Sequence, residues 1–424
     1  MAVLRHACGI VLAIVLGAES IPAQAAEIRV TPGASIMKAI HRAQAGDVIL
    51  IARGDYRERL VIDKPLTLRG VDRPTLLGGG MGDVIRIKSP DVAIEGLIVR
   101  DSGADLTAQN AGIYIEPGAH RAAIRHNDIT YTLFGLWIEK ANDVNVTGNL
   151  ITGMRDLQSA QRGNGIQLYN TRNARIVDNN IGFTRDGIYV DVSHYAEFRG
   201  NRMHHLRYGT HYMNSHHNLW EGNESYLNRS GLALMEVRNQ VVRNNVAWGN
   251  SDHGIMLRTI QDSVIEGNIV IGNGKGFFVY DAEYNVLRGN LVMGNAIGAH
   301  VAAGSYRNAV DGNDFIGNHE QLKYVATRDE HWGEKRGNYW SNYVGWDRDG
   351  DGAGDLPYEA TDLVDRLTWS HPSIKLLLSS PAVQVLRTAA HQFPLLRAPS
   401  IVDAGPHMHP YHADWSRWLE YANR

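Results

Sequence analysis

The sequence predicts an all-β fold, a parallel β-helix built from coils of about 22 residues. Two markers recur with one period between residues 111 and 318: an asparagine that precedes apolar residues, and a glycine that opens an alternating apolar strand. The asparagines are Asn127, Asn149, Asn179, Asn201, Asn223, Asn244, Asn268, Asn290 and Asn313. The glycines are Gly112, Gly135, Gly165, Gly187, Gly209, Gly231, Gly254, Gly276 and Gly298. Two independent markers with the same spacing indicate a true structural repeat.

The length of the period indicates the shape of each repeat. About 22 residues suit three short strands and three turns, which is one coil of a solenoid. After each glycine the first and third residues are apolar and the second and fourth vary, so one face of the strand should be buried. Asparagines one coil apart would then lie roughly 4.8 Å apart and hydrogen-bond along a ladder. An α-helical solenoid is the rival fold, but short, β-branched segments rich in glycine disfavour it.

The repeat is interrupted once. The spacing of both markers is about eight residues longer in one interval, which predicts a single inserted loop at residues 154–161.

Residues 1–25 are predicted to be a secretory signal peptide, because a basic start and an apolar run lead to Ala23-Gln24-Ala25. That run is too short to cross a bilayer, so no membrane span is predicted. The one cysteine, Cys8, lies in this segment, and the mature protein should therefore lack disulfides.

The chain is predicted to divide into the signal peptide, a β-helix and an extension. The β-helix covers residues 26–336 and begins with a short capping helix whose N-cap is Ser35. Residues 337–424 form an irregular and partly helical C-terminal extension, in which Ser380-Pro381 starts a helix. One apolar face of that helix carries Ala382, Val385, Leu386, Ala389 and Phe393. The net charge of −3 indicates neither nucleic acid nor anionic membrane as a partner.

An acidic loop in the extension is a candidate calcium site. Its aspartates are Asp347, Asp349, Asp351 and Asp355, which match positions one, three, five and nine of a calcium-binding loop. Gly352 stands at the turn position, but Tyr358 occupies position twelve, where such loops carry a glutamate. The sequence therefore predicts a calcium-type loop, with a solvated Asp-Gly turn as the alternative.

Histidines and methionines crowd into three neighbouring coils. They are Met203, His204, His205, His211, Met213, His216, His217, Met235, His253 and Met256. Thioethers and imidazoles without any thiolate suit Cu(I) better than zinc. The periodicity places His211, Met213, Met235 and Met256 on the outward face, with His253 just before its strand, and these five are the copper candidates. The alternative is a dry docking patch for a partner protein.

A carbohydrate-active enzyme is the rival functional class. Many β-helices are polysaccharide lyases, hydrolases or epimerases that use acidic and basic side chains on an exposed strip. The outward Asp191 and Arg258 would lie three coils apart, roughly 14 Å, which is too far for a catalytic pair. No catalytic residue is predicted. A secreted enzyme acting on uronate-type polysaccharide stays the alternative, and a scaffold that binds partners without metal is the third.

The extension carries motifs that resemble one family. These motifs are the runs at residues 337–343, 349–358 and 380–383, together with Phe393-Pro394 and Ile401-Val402-Asp403. With the asparagine and glycine repeat, they make the chain similar to the NosD family of periplasmic maturation factors for nitrous-oxide reductase. The resemblance covers nearly all of the mature chain and implies a right-handed β-helix. The His407-Met408-His409 tail departs from the pattern expected for the family.

The resemblance also implies partners. They are the permease and ATPase of an ABC transporter, a chaperone that delivers copper, and the reductase whose copper–sulfur cluster is assembled. A chain without a membrane span needs an exposed apolar element to hold a membrane partner. The helix face around Val385 is therefore the predicted docking surface, and a cover for the open end of the solenoid is its alternative. The predicted role is that of an accessory protein and not of an enzyme.

Overall fold

The computed structural model describes residues 25–302, 304–377, 380–393 and 398–422. It confirms the predicted right-handed parallel β-helix, with about 14 coils. Each regular coil contributes one short strand to each of three parallel sheets, in the chain order sheet 1, sheet 3, sheet 2. Residues 1–24 of the predicted signal peptide lie outside the described residues. Among the described residues, no helix is long and apolar enough to cross a membrane.

The strands are short and follow the predicted period. Sheet 1 contains Glu27–Val30, Val48–Ile51, Thr67–Gly70, Ala93–Glu95, Ala123–Arg125, Asn145–Thr147, Arg175–Val177, Glu197–Arg199, Leu219–Glu221, Val241–Arg243, Val264–Glu266, Val286–Arg288 and Ala309–Asp311. Sheet 2 contains Leu60–Ile62, Ile85–Ile87, Ala111–Ile115, Phe134–Glu139, Ile166–Tyr169, Asp186–Asp191, Tyr208–Met213, Ser230–Arg238, His253–Gln261, Lys275–Tyr280, Ile297–Ala302 and Glu320–Val325. Sheet 3 contains Asp55–Tyr56, Thr75–Leu77, Ile98–Arg100, Asp128–Thr132, Leu150–Gly153, Asn180–Gly182, Arg202–His204, Glu224–Tyr226, Val246–Trp248, Ile269–Ile271, Leu291–Met293, Asp314–Ile316 and Tyr339–Trp340.

The hydrophobic core runs along the axis of the coils. The predicted inward positions of sheet 2 are buried, as at Ile166, Leu168, Ile255 and Leu257. Equivalent residues of neighbouring coils lie in register, so like side chains stack on like. The same stacking joins aromatic rings, and the rings of Phe198 and Trp220 lie 3.9 Å apart and nearly parallel.

The asparagine ladder is confirmed for eight of the nine predicted residues. Each one donates its side-chain amide to the next asparagine oxygen, as Asn201 does to Asn223 at 2.9 Å. Asn244 was the wrong choice at its position, because the buried ladder residue is Asn245 and Asn244 is exposed with φ +55°. The ladder continues to Asn338, which donates its backbone and side-chain N–H groups to the buried carboxylate of Asp403.

A second ladder was not predicted. It lies at the turn between sheets 3 and 2 and consists of Asn228, Asn250, Asn273, Asn295 and Asn318. These residues also recur every 22 or 23 positions, so the signal was present in the sequence. The two ladders pair buried backbone groups at two corners of every central coil, which keeps the turns in register.

The N-terminal end is closed by the predicted capping helix. This helix spans Ile36–Arg42 and starts at Ser35, whose side chain accepts the backbone N–H of Lys38. Glu58 reinforces the start by accepting the N–H of Ile36 at 2.6 Å. Ile36, Ala39 and Ile40 are buried over the first coil, which covers its apolar edge.

The C-terminal extension closes the other end. Two of its strands, Tyr358–Glu359 and Ile401–Asp403, form a small sheet with Glu330–Trp332, which precedes the extension. Its α-helices are Leu363–Ser370, Pro381–Gln392 and Leu419–Ala422, and short 3-10 helices lie at Pro372–Leu377 and Trp415–Trp418, as at Ser159–Gln161 in the inserted loop. The last strand of sheet 3 lies beyond residue 336, where the extension was predicted to begin. Trp340 in that strand stacks between Phe315 and Tyr358, each with ring centroids 4.3 Å away, and so covers the core.

Candidate functional site

The copper candidates lie on the outer face of sheet 2, in three consecutive strands. His211, Ala233 and Met256 occupy one row of the register. Tyr212 and Leu234 are paired across two adjacent strands. Met213 follows Tyr212 and Met235 follows Leu234, so the two methionines are neighbours. The structure therefore places His211, Met213, Met235 and Met256 on one face of sheet 2, which we call the His/Met face.

A buried carboxylate holds His211 in place. Asp186 has no solvent exposure, and its Oδ2 lies 2.9 Å from His211 Nδ1. The guanidinium of Arg207 donates to both oxygens of Asp186, at 2.8 and 2.5 Å. Burial opposes the charged form of Asp186, but hydrogen bonds from Arg207 and His211 hold its pKa below the usual range. An ionised partner at Nδ1 keeps the proton on that nitrogen and leaves Nε2 as the nitrogen with a free lone pair.

Tyr189 connects His211 with Met213. Its ring packs edge-on against the imidazole, with centroids 4.5 Å apart. Its hydroxyl lies 3.7 Å from Met213 Sδ. The nitrogen and sulfur candidates therefore share one neighbour, and both side chains are only partly exposed. Contacts with Tyr189 therefore hold both side chains on the same part of the sheet.

His253 and Met256 are less open than the periodicity suggested. Both are buried, with 7% and 9% of their surfaces exposed. His253 Nδ1 lies 3.1 Å from the Ser230 hydroxyl, and its Nε2 lies 3.4 Å from Lys275 Nζ. Because both ring nitrogens already have partners, His253 must exchange one of them before it can bind an ion.

His300 belongs to the same surface and was missed. It stands one coil beyond Phe278 in the row that contains Met256, and the alternation after Gly298 could have revealed it. Its Nδ1 is buried without a hydrogen-bond partner among the described residues. Burial, with a smaller contribution from Lys323, lowers the pKa of His300 to about 4, and burial likewise lowers that of His253 to about 4. Both imidazoles are therefore neutral near pH 7, the form that binds metals.

The histidines in the turns have structural roles. His216 donates its backbone N–H to His194 Nδ1 at 3.0 Å, and Arg238 does the same to His216 Nδ1. His204 and His205 face each other with their Nδ1 atoms 2.9 Å apart, and Phe183 stacks on His205. One ring nitrogen each of His194, His205 and His216 is engaged in this way. His204 uses both, since its Nε2 also lies 3.1 Å from Asn180 Oδ1.

The acidic loop brings three of its four aspartates together. One ligand oxygen each from Asp347, Asp349 and Asp351 lies within 4.8 Å of the others. Asp355 instead accepts the backbone N–H of Arg348 at 2.9 Å. The carboxylate of Asp347 accepts the backbone N–H groups of Gly352 and Gly350, and these hydrogen bonds, that of Gly352 above all, lower its pKa although desolvation opposes them. Calcium binding stays a prediction.

The predicted docking helix presents its apolar face away from the body. Val383 and Ala390 point inward, and Arg387 forms an ion pair with Asp362 at 2.9 Å. On the predicted face, Ala382, Val385 and Phe393 are exposed and Leu386 and Ala389 are half-buried. The attachment is therefore made by the opposite side of the helix.

Comparison with known proteins places this geometry in a family. The family model described as "Periplasmic copper-binding protein (NosD)" matches residues 147–345. A "Probable ABC transporter binding protein NosD" from Stutzerimonas stutzeri is 38% identical over 371 residues, which cover 84% of this chain and 85% of that protein. A protein of the same description from Pseudomonas aeruginosa PAO1 is 40% identical over 373 residues, covering 84% and 87%.

Solved structures share the fold at low identity. The Dettilon tailspike protein is 13% identical with a TM-score of 0.56, and the match covers 68% of this chain and 63% of the tailspike. The family 28 exopolygalacturonase of Yersinia enterocolitica is 12% identical with a TM-score of 0.52, covering 75% and 79%. These likenesses show the β-helix alone. The relatives in sequence are described as binding proteins, in agreement with the predicted non-enzymatic role, and their identity and coverage show that the chain belongs to the NosD family.

Proposed function

We propose that this protein is a periplasmic accessory protein that binds Cu(I) on its His/Met face. In this proposal it works with an ABC transporter in assembling the copper–sulfur cluster of nitrous-oxide reductase. The observation that carries the proposal is the buried Asp186, which fixes His211 beside Met213 on one outer surface. The description of the family supports copper, and the names of the relatives support the transporter.

The geometry of the face supports three proposed ligands. His211 supplies Nε2, and the thioethers of Met213 and Met235 supply sulfur from adjacent strands. Neighbouring strands lie about 4.8 Å apart, which lets two long, flexible methionine side chains meet at one ion. Met256 is a further candidate ligand, because it lies in the same row of the register as His211. Its side chain is buried, so it is placed after the other three. A site of imidazole and thioether without thiolate holds Cu(I) exchangeably, as a protein that passes copper to a partner requires.

The metal preference of the purified full chain tests this role. After anaerobic loading and desalting, the protein should retain Cu(I) and should not retain Zn(II), because soft thioether ligands favour the monovalent ion. Metal analysis of the desalted protein measures both. A chain that retains zinc, or that retains neither metal, contradicts the proposal.

The acidic loop is proposed to be a calcium-type loop with a structural role. It lies against the C-terminal tail, where Met408 donates its backbone N–H to Gly352 at 3.0 Å. The backbone of Ala353 also bridges to His407. An ion between Asp347, Asp349 and Asp351 would neutralise their mutual repulsion and so fasten the tail to the loop.

Docking to the permease is proposed to use the exposed face of the helix Pro381–Gln392. Replacing Val385, 69% exposed, with aspartate puts a charge into this face without disturbing the buried Val383. We expect co-purification with the permease to fall at least about tenfold, since a buried charge at an interface costs more than 1.4 kcal/mol. Val344→Asp is the matched control, because Val344 is 93% exposed and is not part of this helix.

Equal co-purification of the Val385 and Val344 variants would exclude this docking surface. Truncation after Ser373 is a poorer test, since it also removes Asp403, the carboxylate that ends the asparagine ladder. The point substitution leaves that end of the β-helix intact.

A further inference from the structure

A recess lies on sheet 2, next to the His/Met face. It is an open cleft of about 530 Å³, and its floor contains Trp137, Gln167 and Tyr189 from three consecutive strands. These residues lie in one row of the register, and Tyr189 also contacts His211. The parallel row contains Glu139, Tyr169 and Asp191. The cleft therefore combines aromatic rings, an amide and carboxylates on a pitch of about 4.8 Å.

The inserted loop that breaks the period packs against two residues that line the cleft, Phe134 and Trp137. Leu157 and Met154 of this loop pack with Phe134 and Trp137 in a separate apolar cluster. Arg162 fastens the loop by donating to the carbonyl oxygens of Leu157, Phe183 and Arg155, at 2.9, 3.0 and 3.0 Å. The insertion therefore packs on this part of sheet 2 and supports it.

Two residues that line the cleft, Trp137 and Asn164, each carry a buried polar atom without a partner among the described residues. Trp137 Nε1 and Asn164 Oδ1 are buried without a hydrogen bond in the part of the chain that the structure describes. Asn164 is 9% exposed, and its amide nitrogen is already used by Gln167 Oε1 at 2.7 Å. A buried donor and a buried acceptor left open each cost free energy, so a ligand that satisfies both is favoured. A secondary amide offers a matching C=O and N–H.

The rest of the cleft suits sugar rings. Aromatic faces pack against the apolar faces of pyranose rings, and Tyr169 is 38% exposed for this purpose. Glu139 and Asp191 accept hydrogen bonds from hydroxyl groups, and they repel the carboxylates of uronates. An extended peptide is a poorer fit, because both edges of each strand in the cleft are already paired and no backbone remains to bind it.

We propose that this cleft binds a neutral chain of N-acetylated amino sugars. The acetamido group pairs with Trp137 Nε1 and Asn164 Oδ1, while the sugar rings lie along Tyr169 and Tyr189. Sugar binding in this cleft is distinct from copper binding and requires no chemical step. Sheet 2 then carries two binding sites, the cleft and the His/Met face.

The test is calorimetric titration of the full chain with chitohexaose and with cellohexaose, which lacks the acetamido groups. Saturable binding of chitohexaose, at least about tenfold tighter than that of cellohexaose, is expected. Tyr169→Ala should weaken chitohexaose binding about tenfold and leave Cu(I) binding unchanged. Trp137→Phe keeps a ring but removes the N–H group, so it should reduce the preference for chitohexaose.

Tyr280→Ala is the matched control, because Tyr280 is an exposed tyrosine in the same row of sheet 2 as Tyr169 but lies outside the cleft. It should bind chitohexaose as the wild type does. The proposal is overturned if chitohexaose shows no saturable binding, or if a lysine-rich peptide or polygalacturonate binds more tightly. Equal losses in the Tyr169 and Tyr280 variants would also overturn it.

Discussion

Replacing Asn223 with leucine is expected to destabilise the β-helix by ~3 kcal/mol, because the change opens several buried hydrogen bonds at once. The side-chain oxygen of Asn223 accepts the backbone and side-chain N–H groups of Asn201, at 3.0 and 2.9 Å. Its amide nitrogen donates to Phe198 O and to Asn245 Oδ1, both at 2.9 Å. Leucine can replace none of these bonds, and the orphaned groups lie in the interior. Chemical denaturation of the two proteins measures the difference.

Asn244→Gly is the matched control for the ladder. Asn244 is exposed and has a positive φ, which glycine adopts without strain. Its replacement is expected to change the free energy of unfolding by less than about 1 kcal/mol. A control as unstable as Asn223→Leu would contradict the assignment of Asn245 to the ladder. A fully stable Asn223→Leu protein would show that the ladder contributes little.

Asp186→Asn is expected to lower the affinity for Cu(I) by about 10–100-fold, the usual cost of losing a carboxylate that orients a metal-binding histidine. The substitution keeps the shape of the side chain but removes the charge that holds the proton on His211 Nδ1. Competition with a Cu(I) chelator measures the affinity. Nitrogen NMR of His211 should show a mixture of tautomers in the variant, a change that loss of packing alone would not produce.

Asp178→Asn is the matched control for the carboxylate. Asp178 is exposed at a turn between sheets 1 and 3, away from the His/Met face, and its positive φ suits asparagine. It should bind Cu(I) as the wild type does. Unchanged affinity in Asp186→Asn, with a folded protein, would mean that Asp186 and Arg207 only join neighbouring coils.

The fold was predictable because each coil repeats its physical requirements. Buried positions, turn glycines and ladder asparagines all recur with one period, so each coil supports the assignment of the next. Asn244 and Asn245 show the limit of this signal. Both precede an apolar run, and only the direction of the side chain, inward or outward, distinguishes them. The ladder's end at Asp403 was hidden for another reason, since Asp403 is 65 residues from Asn338.

The candidate site was predictable as a surface but not as a set of contacts. Strand alternation placed His211, Met213 and Met235 together, because the register follows from the repeat. The sequence did not indicate the role of Asp186, because this residue contacts His211 from the preceding coil, 25 residues earlier. Acidic residues also do not repeat at its position from coil to coil. The burial of His253 depends on its neighbours Ser230 and Lys275, one coil before and one after.

The central claim is that the His/Met face holds Cu(I) through methionine sulfur. Its most direct test is a competitive Cu(I) titration of the double variant Met213→Leu, Met235→Leu against the wild type. Leucine keeps the apolar bulk and removes the sulfur, so docking of a partner on this surface should persist. We expect the Cu(I) affinity to fall at least about tenfold, a loss of ~1.4 kcal/mol or more. An unchanged affinity in the folded double variant would contradict the assignment of the copper site to this face.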